Sequence, residues 1–339
     1  MGINLSDLVS GSRVELRSLK GRWIAIDAFN TIYQFLSSIR TPDGQPLKDS
    51  RGRPTSHLKG LLTRVANYLK EDVRLIFVFD GEPHQLKQST LERRAERKME
   101  AEVEWKEALE RGDLETARVK AQQTSRITDE IVEDSKRLLE LMGVPFVQAP
   151  QEGEAQAAYM AQKGEVFAAA SQDYDSLLFG APRLLRNLAL SGKRKLPGRS
   201  IYVEVHPELI LLEKVLKELE ITREQLIDLA ILVGTDFNPG VKGVGPKTAL
   251  KLIKKYGSLE NVISEMRYSL LEYEEVRKIF LRPPVTDNYH LILGRPDIEG
   301  IVEFLCDERD FQLQNIQKSL NDLKAAEDSR RQATLESWF

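Results

Sequence analysis

The sequence reads as an α/β protein whose strands end in acids. Three short apolar runs carry that reading: RWIAID ends in Asp27, LIFVFDG ends in Asp80, and VFAAA is followed by SQDYD with Asp173 and Asp175. Each has strand length and stops at residues that favour turns. In a parallel α/β sheet the carboxyl ends of the strands are where ligands bind. One acid at a strand end is an ordinary turn former. Three such ends, joined by the pair Glu152 and Glu154, need a further reason.

Taken in order, RWIAID passes into AFNTIYQFLSSIR, which has helical spacing, so Asp27 falls at a strand-to-helix junction. Residues 40–56 are rich in Gly, Pro and charge and form a loop. HLKGLLTRVANYLK follows as a helix, with Ser56 or Thr55 as its cap. LIFVFDG is the least ambiguous strand.

From residue 84 to about 130 the chain is helix-forming, nearly saturated with charge and poor in apolar positions. Such a segment buries little and projects from the body. It leaves directly from the strand end bearing Asp80, with Lys87, Arg93, Arg94, Arg97 and Lys98 at its near end. ITDEIVEDSKRLLELMG is a helix leading into VPFVQAP and the stretch holding both carboxylate pairs.

Beyond it lie a basic loop, KRKLPGR (193–199), and a strand, IYVEV. ITREQLIDLAILVGTD reads as a helix ending at Gly234, with Asp236 just past it as a seventh acid at the end of an apolar element. FNPGVKGVGPKTALKLIKKYGS then places Gly243 and Gly245 in a tight turn and Pro246 in the first turn of a helix. A glycine turn feeding a helix N-terminus points backbone N–H groups at an anion. Lys242, Lys247, Lys251, Lys254 and Lys255 surround it, which suits a nucleic-acid backbone. A dinucleotide-binding glycine turn would follow a strand, and this one follows a helix. Residues 258–320 read as helices with a Pro-rich break, and 324–331 as polar and mobile. The chain closes QATLESWF, where Gln332, Leu335, Trp338 and Phe339 have the spacing of one helical turn with apolar anchors.

The composition narrows the chemistry. Hydrophobic residues make up 41% and charged residues 30% of 339, and no apolar run nears the ~18 residues of a membrane span. No secretory h-region is present, so a cytoplasmic protein without membrane contact is expected. One cysteine and four histidines leave oxygen as the only abundant ligand type. Four acids converging at strand ends repel one another unless a cation lies between them, and a hard divalent ion is the simplest such cation. The formal charge of −3 does not exclude DNA as a partner, because two divalent ions return about four positive charges.

The ordered set of segments resembles the flap endonuclease family of structure-specific 5′ nucleases, its archaeal members most. The likeness spans nearly the whole chain: the MGI start, IAIDAFNTIYQFL, TSHLKGLLTR, FVFDGEPHQLK, the Glu-x-Glu and Asp-x-Asp pairs, VGTDFNPGVKGVGPKTA and QATLESWF. It departs at Gly153, where family members often have Ala, and at Phe29. The resemblance implies a central, mainly parallel twisted sheet flanked by helices, with a helical arch and a helix–two-turn–helix motif for DNA. It implies a nuclease region in 1–98 and 116–258, an arch in 84–130, the helix–two-turn–helix at 235–256, a helical region at 259–325 and a flexible tail at 326–339.

The same resemblance implies that Asp27, Asp80, Glu152, Glu154, Asp173, Asp175 and Asp236 hold two Mg²⁺ ions. Lys87 and Arg94 match cations at the arch base that stabilise developing phosphorane charge. Tyr33 matches a base-stacking aromatic, and Arg40 and Arg64 match residues near the duplex. Gly234, Asp236, Gly243, Gly245, Lys247, Lys251 and Lys254, with Glu152, complete the implied DNA contacts, and a monovalent cation joins the DNA at the glycine turn. Gln332, Leu335, Trp338 and Phe339 match a sliding-clamp-binding motif on residues 332–339. The implied protein is a monomer that cuts DNA bearing 5′ flaps or nicks as endonuclease and 5′-3′ exonuclease, in replication and repair. The alternatives are a related 5′ exonuclease or repair-bubble nuclease, or a non-catalytic clamp-bound DNA scaffold.

Overall fold

The computed structural model describes residues 3–41, 43–188, 192–195 and 202–336. The chain enters through β1 (Ser12–Arg13), then β2 (Trp23–Asp27), α1 (Ala28–Ser38), α2 (Ser56–Lys70) and β3 (Arg74–Phe79). Two charged helices, α3 (Gln88–Glu110) and α4 (Leu114–Gln123), come next. They precede α5 (Asp129–Leu141), β4 (Phe146–Gln148), α6 (Gly153–Gln162), β5 (Ala168–Ala170), α7 (Asp175–Leu178) and β6 (Arg183–Arg186). β7 (Gly192–Lys195), β8 (Tyr202–Val205) and β9 (Glu208–Leu211) follow. The rest is helical: α8 (Leu212–Leu219), α9 (Arg223–Val233), α10 (Pro246–Tyr256), α11 (Leu259–Met266), α12 (Tyr273–Leu281), α13 (Ile298–Val302) and α14 (Leu313–Glu336).

The central sheet runs β1-β9-β6-β5-β2-β3-β4. The five strands from β6 to β4 are parallel, and β9 and β1 add an antiparallel edge. The α/β class and the mainly parallel sheet therefore match expectation. Both faces of the sheet are covered, so its strands are apolar on both sides. Leu75, Phe77 and Phe79 face one core while Ile76 and Val78 face the other. The chain builds outward from β2 through β3 to β4, then returns to place β5 on the other side of β2. Strand order reverses between β2 and β5, which opens a crevice at their carboxyl ends.

Several local expectations change. Thr55 occupies the cap position of α2 but its side chain makes no capping bond. Ser56 instead donates from Oγ to the Ile39 carbonyl at 2.6 Å and accepts from Leu47 N at 2.9 Å, tying the loop down. Of the basic loop 193–199, Lys193, Arg194 and Lys195 lie in β7, paired with β8 in a separate two-stranded sheet; 196–199 fall outside the described residues. IYVEV thus contributes its strand to that hairpin and not to the central sheet. Residues 324–331 are not an irregular segment. They continue α14, whose Ile316, Leu320, Leu323 and Ala326 are buried against the core that includes α2. The polar faces that suggested a tail are the solvent side of that helix. The charged insert forms a helical pair with a small core of its own, built from Trp105, Ala108, Ala117 and Ala121.

One buried group sets a pH dependence. His57, in α2, is fully buried and neither ring nitrogen has a hydrogen-bond partner among the described residues. Burial, helped by the nearby Arg309, pushes its pKa down to about 3. The unfolded chain therefore binds the proton more readily, and the contribution of His57 to stability is present above about pH 6.5 and lost as pH falls toward 3. A His57→Gln variant should lose less stability than the parent between pH 6.5 and 4, the gap changing by up to about 1.4 kcal/mol per pH unit. Parallel denaturant titrations across that range check this; identical slopes would mean that His57 protonates without consequence.

Candidate active site

Each of the seven acids sits at or just beyond the end of a strand or helix, or in the first turn of the helix that follows. Asp27 closes β2 and caps α1, accepting from Asn30 N at 3.0 Å while Ser171 Oγ donates to its other oxygen at 3.2 Å. Asp80 follows β3 and accepts from Gly153 N at 2.6 Å. The turn after it runs so close to the next segment that a Cβ on Gly81 would lie 2.2 Å from the Ala149 carbonyl oxygen. Only glycine permits that approach. Glu152 and Glu154 stand at the cap and first turn of α6, where the helix N-terminus favours carboxylates.

Asp173 lies just past β5 and accepts from Asn30 Nδ2 at 3.2 Å. Asp175 opens α7 and accepts from Ile3 N at 2.9 Å. Asp236 comes two residues after Gly234, whose φ of +106° ends α9 and turns the chain back. A Cβ there would meet the Pro239 backbone at 2.9 Å.

The acids perturb one another. Burial first, then Asp80 and Asp173, pushes the Asp27 carboxyl up to about 8. Asp175 also reaches about 8, through burial and then Asp173 and Asp236. Glu154 is raised well above the carboxylate range by burial, Asp175, Asp27 and Asp173. Burial raises Asp80 and Glu152 too, with Lys87 opposing it in both. All seven acids thus form one electrostatic unit at the crevice between β2 and β5.

Lys87 and Arg94, on the insert that leaves β3, come down onto this unit. Lys87 Nζ donates to Glu152 Oε2 at 2.5 Å, and Arg94 Nη2 to Asp236 Oδ1 at 2.5 Å. Burial alone would depress the Lys87 ammonium, but Glu152, Asp80 and Asp236 outweigh it and hold its pKa above the usual lysine range. Asp27, Glu154 and Asp175 receive only neutral donors among the described residues. Among those residues, no group of three acids is drawn together closely enough to hold an ion as it stands. The donor set nonetheless fits a hard divalent cation: it is all carboxylate, buried at Asp27 and Asp175 and half-buried at the other five, and Asp27, Glu154 and Asp175 have no cationic partner among the described residues.

The other candidates fall in two groups. Tyr33 is half-buried beside the crevice, with Lys98 Nζ 5.6 Å from its ring centre. Arg64 lines a water-sized cavity of about 20 Å³ together with Asn30, Gln34, Ser171 and Gln172. Arg40 is engaged inside the fold, donating to the Leu36 and Gly44 carbonyls at 2.9 and 2.7 Å and to Ser125 Oγ at 2.7 Å.

Gly243, with φ of +83°, and Gly245, at the cap of α10, lie in the turn between α9 and α10, and Pro246 opens the helix as expected. Around it, Lys247 lies 3.7 Å from Asp7 and Lys254 2.6 Å from Glu220. Gln332 is in α14, whose backbone stays helical through Glu336, while Trp338 and Phe339 lie outside the described residues. Asn30, Ser171 and Ser176, absent from the sequence expectations, each donate to a site acid. Asn30 was legible as one turn into α1 after Asp27, but the serines carry no signal of their own.

Carboxylates gathered at a strand-order switch point and faced by a lysine and an arginine suit a hydrolase of phosphodiester bonds. Residues 1–101 match the XPG N-terminal domain, 143–236 the XPG I-region, and 221–281 the C-terminal SAM fold of 5′-3′ exonucleases. The chain is 55% identical to flap endonuclease 1 of Pyrococcus furiosus, covering 100% of this chain and 99% of that one. It is also 55% identical to that of Archaeoglobus fulgidus, over 100% of both. The structure matches flap endonuclease-1 from Methanococcus jannaschii with a TM-score of 0.77 at 43% identity, covering 97% of this chain and all of that one. It matches the catalytic core of Rad2 in complex with DNA substrate with a TM-score of 0.68 at 25% identity, covering 94% and 97%. The chain belongs to the flap endonuclease 1 family and is a structure-specific 5′ nuclease acting on DNA.

Proposed function

We propose that cleavage takes place at the seven-acid crevice and depends on two Mg²⁺ ions held by Asp27, Asp80, Glu152, Glu154, Asp173, Asp175 and Asp236. The observation that carries this reading is the clustering of buried, mutually raised carboxyls beneath Lys87 and Arg94. When bound, such ions supply an activated water and neutralise charge on the entering and leaving oxygens. The chain's own groups do the rest. Lys87 and Arg94 turn from Glu152 and Asp236 toward the scissile phosphate, where they offset charge that grows in the transition state. Tyr33 stacks on the terminal base, and Arg64 lies near the duplex. Gel analysis of a 5′-labelled flap substrate with and without Mg²⁺ tests the reading. Cleavage that persists after exhaustive chelation would sink it.

The turn from Gly243 to Pro246 and the lysines of α10 hold the duplex backbone, together with a monovalent cation. Lys247→Ala, Lys251→Ala and Lys254→Ala should each weaken flap binding and flatten its salt dependence by roughly one unit of slope per lost phosphate contact. Lys254 must leave Glu220 to reach DNA, so its variant should show the smallest change. Binding isotherms over a salt series measure this, and an unchanged slope in all three would move the duplex elsewhere.

The carboxyl end is proposed to dock on a sliding clamp through Gln332, Leu335, Trp338 and Phe339, the protein itself being a monomer. Among the described side chains of α14, Ala326 is the last that is buried and Arg330 the last that bonds outside the helix, to the Gly294 carbonyl. Truncation after Arg331 should therefore leave melting temperature and cleavage of free flaps unchanged while clamp affinity falls sharply. Calorimetric titration with the cognate clamp, beside a melting curve, checks both halves. A melting temperature lower by several degrees with clamp affinity intact would assign the tail to its own domain.

A further inference from the structure

The turn from Gln172 to Tyr174 carries Asp173 and leads into Asp175, yet it belongs to no strand or helix. The last sheet-type bond before it runs from Ser171 N to the Leu185 carbonyl at 3.2 Å. Asp173 N then donates to Ser171 Oγ at 3.2 Å and Leu177 N to the Tyr174 carbonyl at 2.9 Å, which leaves the Gln172 carbonyl and the Tyr174 side chain to be fixed by something else. Arg186, the last residue of β6, is that something. Its Nε donates to the Gln172 carbonyl at 3.0 Å and its Nη1 to the Tyr174 hydroxyl at 2.6 Å. Its guanidinium carbon also lies 4.2 Å from the centre of the Tyr174 ring. Tyr174 is 4% exposed and packed in the core, so the ring is held between that core and the guanidinium.

We propose that Arg186 is a positioning residue that sets the Asp173 and Asp175 carboxylates and thereby the affinity of the crevice for divalent ions. Gln172 and Tyr174 alternate with the two acids along the chain. Gripping both from the β6 side leaves Asp173 and Asp175 directed at the crevice. A planar fork spans a carbonyl and a hydroxyl two residues apart, and a lysine point charge does not. Groups that orient metal-binding residues typically change metal affinity by about 10- to 100-fold when removed. The inference rests on the metal reading given above, and the test separates the two.

The test is calorimetric Mn²⁺ titration of the full-length protein, with flap binding in chelator and melting curves alongside. Arg186→Ala should weaken Mn²⁺ binding by about tenfold or more, leave flap affinity in chelator unchanged, and shift the Mg²⁺ dependence of single-turnover cleavage to higher concentration. Arg186→Lys should remain impaired, because charge without the fork does not restore the grip. Tyr174→Phe removes one acceptor and keeps the packed ring, so it should shift Mn²⁺ affinity a few-fold in the same direction; it decides the matter if Arg186→Ala fails to fold. Unchanged Mn²⁺ affinity in the folded Arg186→Ala variant, or in Tyr174→Phe where that variant does not fold, overturns the inference. So does a loss confined to flap binding. Asp175→Ala is the control. If it too leaves Mn²⁺ binding intact the metal reading itself fails, whereas if it abolishes binding and Arg186→Ala does not, only the role of Arg186 falls.

Discussion

Asp175→Ala and Asp80→Ala are each expected to lower flap cleavage by about 10³-fold or more while flap affinity holds. Ligand loss removes several kcal/mol of transition-state stabilisation, at about 1.4 kcal/mol per factor of ten. DNA affinity should not suffer, since each change deletes a negative charge from a surface that faces phosphates. Asp175→Asn sharpens the test, because the amide oxygen still accepts from Ile3 N and leaves that buried donor paired.

A second readout follows from the raised carboxyls. Asp27 and Asp175 have folded pKa values near 8 against an ordinary 3.8. Their contribution to stability is fully present below pH 3.8 and lost as pH rises toward 8, the opposite sense to His57. In chelator, Asp175→Asn should therefore lose less stability than the parent when pH is raised from 5 to 8. Near-parental turnover at saturating Mg²⁺ in either alanine variant would remove that acid from the site.

The strand ends were legible because burial on both faces leaves a continuous apolar signal, and an acid that stops such a run stands out. Asp27, Asp80 and the Asp173 pair were found that way. Their convergence was not legible from the runs alone: it depends on β5 returning to the far side of β2, a choice made by three-dimensional packing. Arg40 shows the opposite limit. Only the family resemblance implies a place near the duplex for it, and no local pattern foretells that its donors close on Leu36, Gly44 and Ser125 and hold the 40–56 loop against the end of α4. Arg186 gave no signal at all, since an arginine at a strand end is commonplace and its meaning lies in the turn it faces. The helical end of α14 is hard to read in the sequence because one apolar face, at Ile316, Leu320, Leu323 and Ala326, is too sparse to stand out among charged neighbours.

Lys87→Ala and Arg94→Ala should each lower the single-turnover rate by on the order of 10²-fold, since each would act on charge that develops only in the transition state. The structure adds a result of opposite sign. Lys87 is paired with Glu152 and Arg94 with Asp236, so each removal strips a cation from an acid of the crevice. Divalent ions compete with those side chains for the same oxygens. Both variants should therefore bind Mn²⁺ more tightly than the parent in calorimetric titration while they cut more slowly at saturating metal. That split separates the roles open to these residues. A pair that only neutralised the acids would be replaced by added metal, and the rate would recover. An ordinary phosphate contact would weaken flap binding and leave the single-turnover rate of bound substrate alone. Slow chemistry combined with tighter metal binding is expected only if Lys87 and Arg94 leave their carboxylates and move to the phosphate during the reaction.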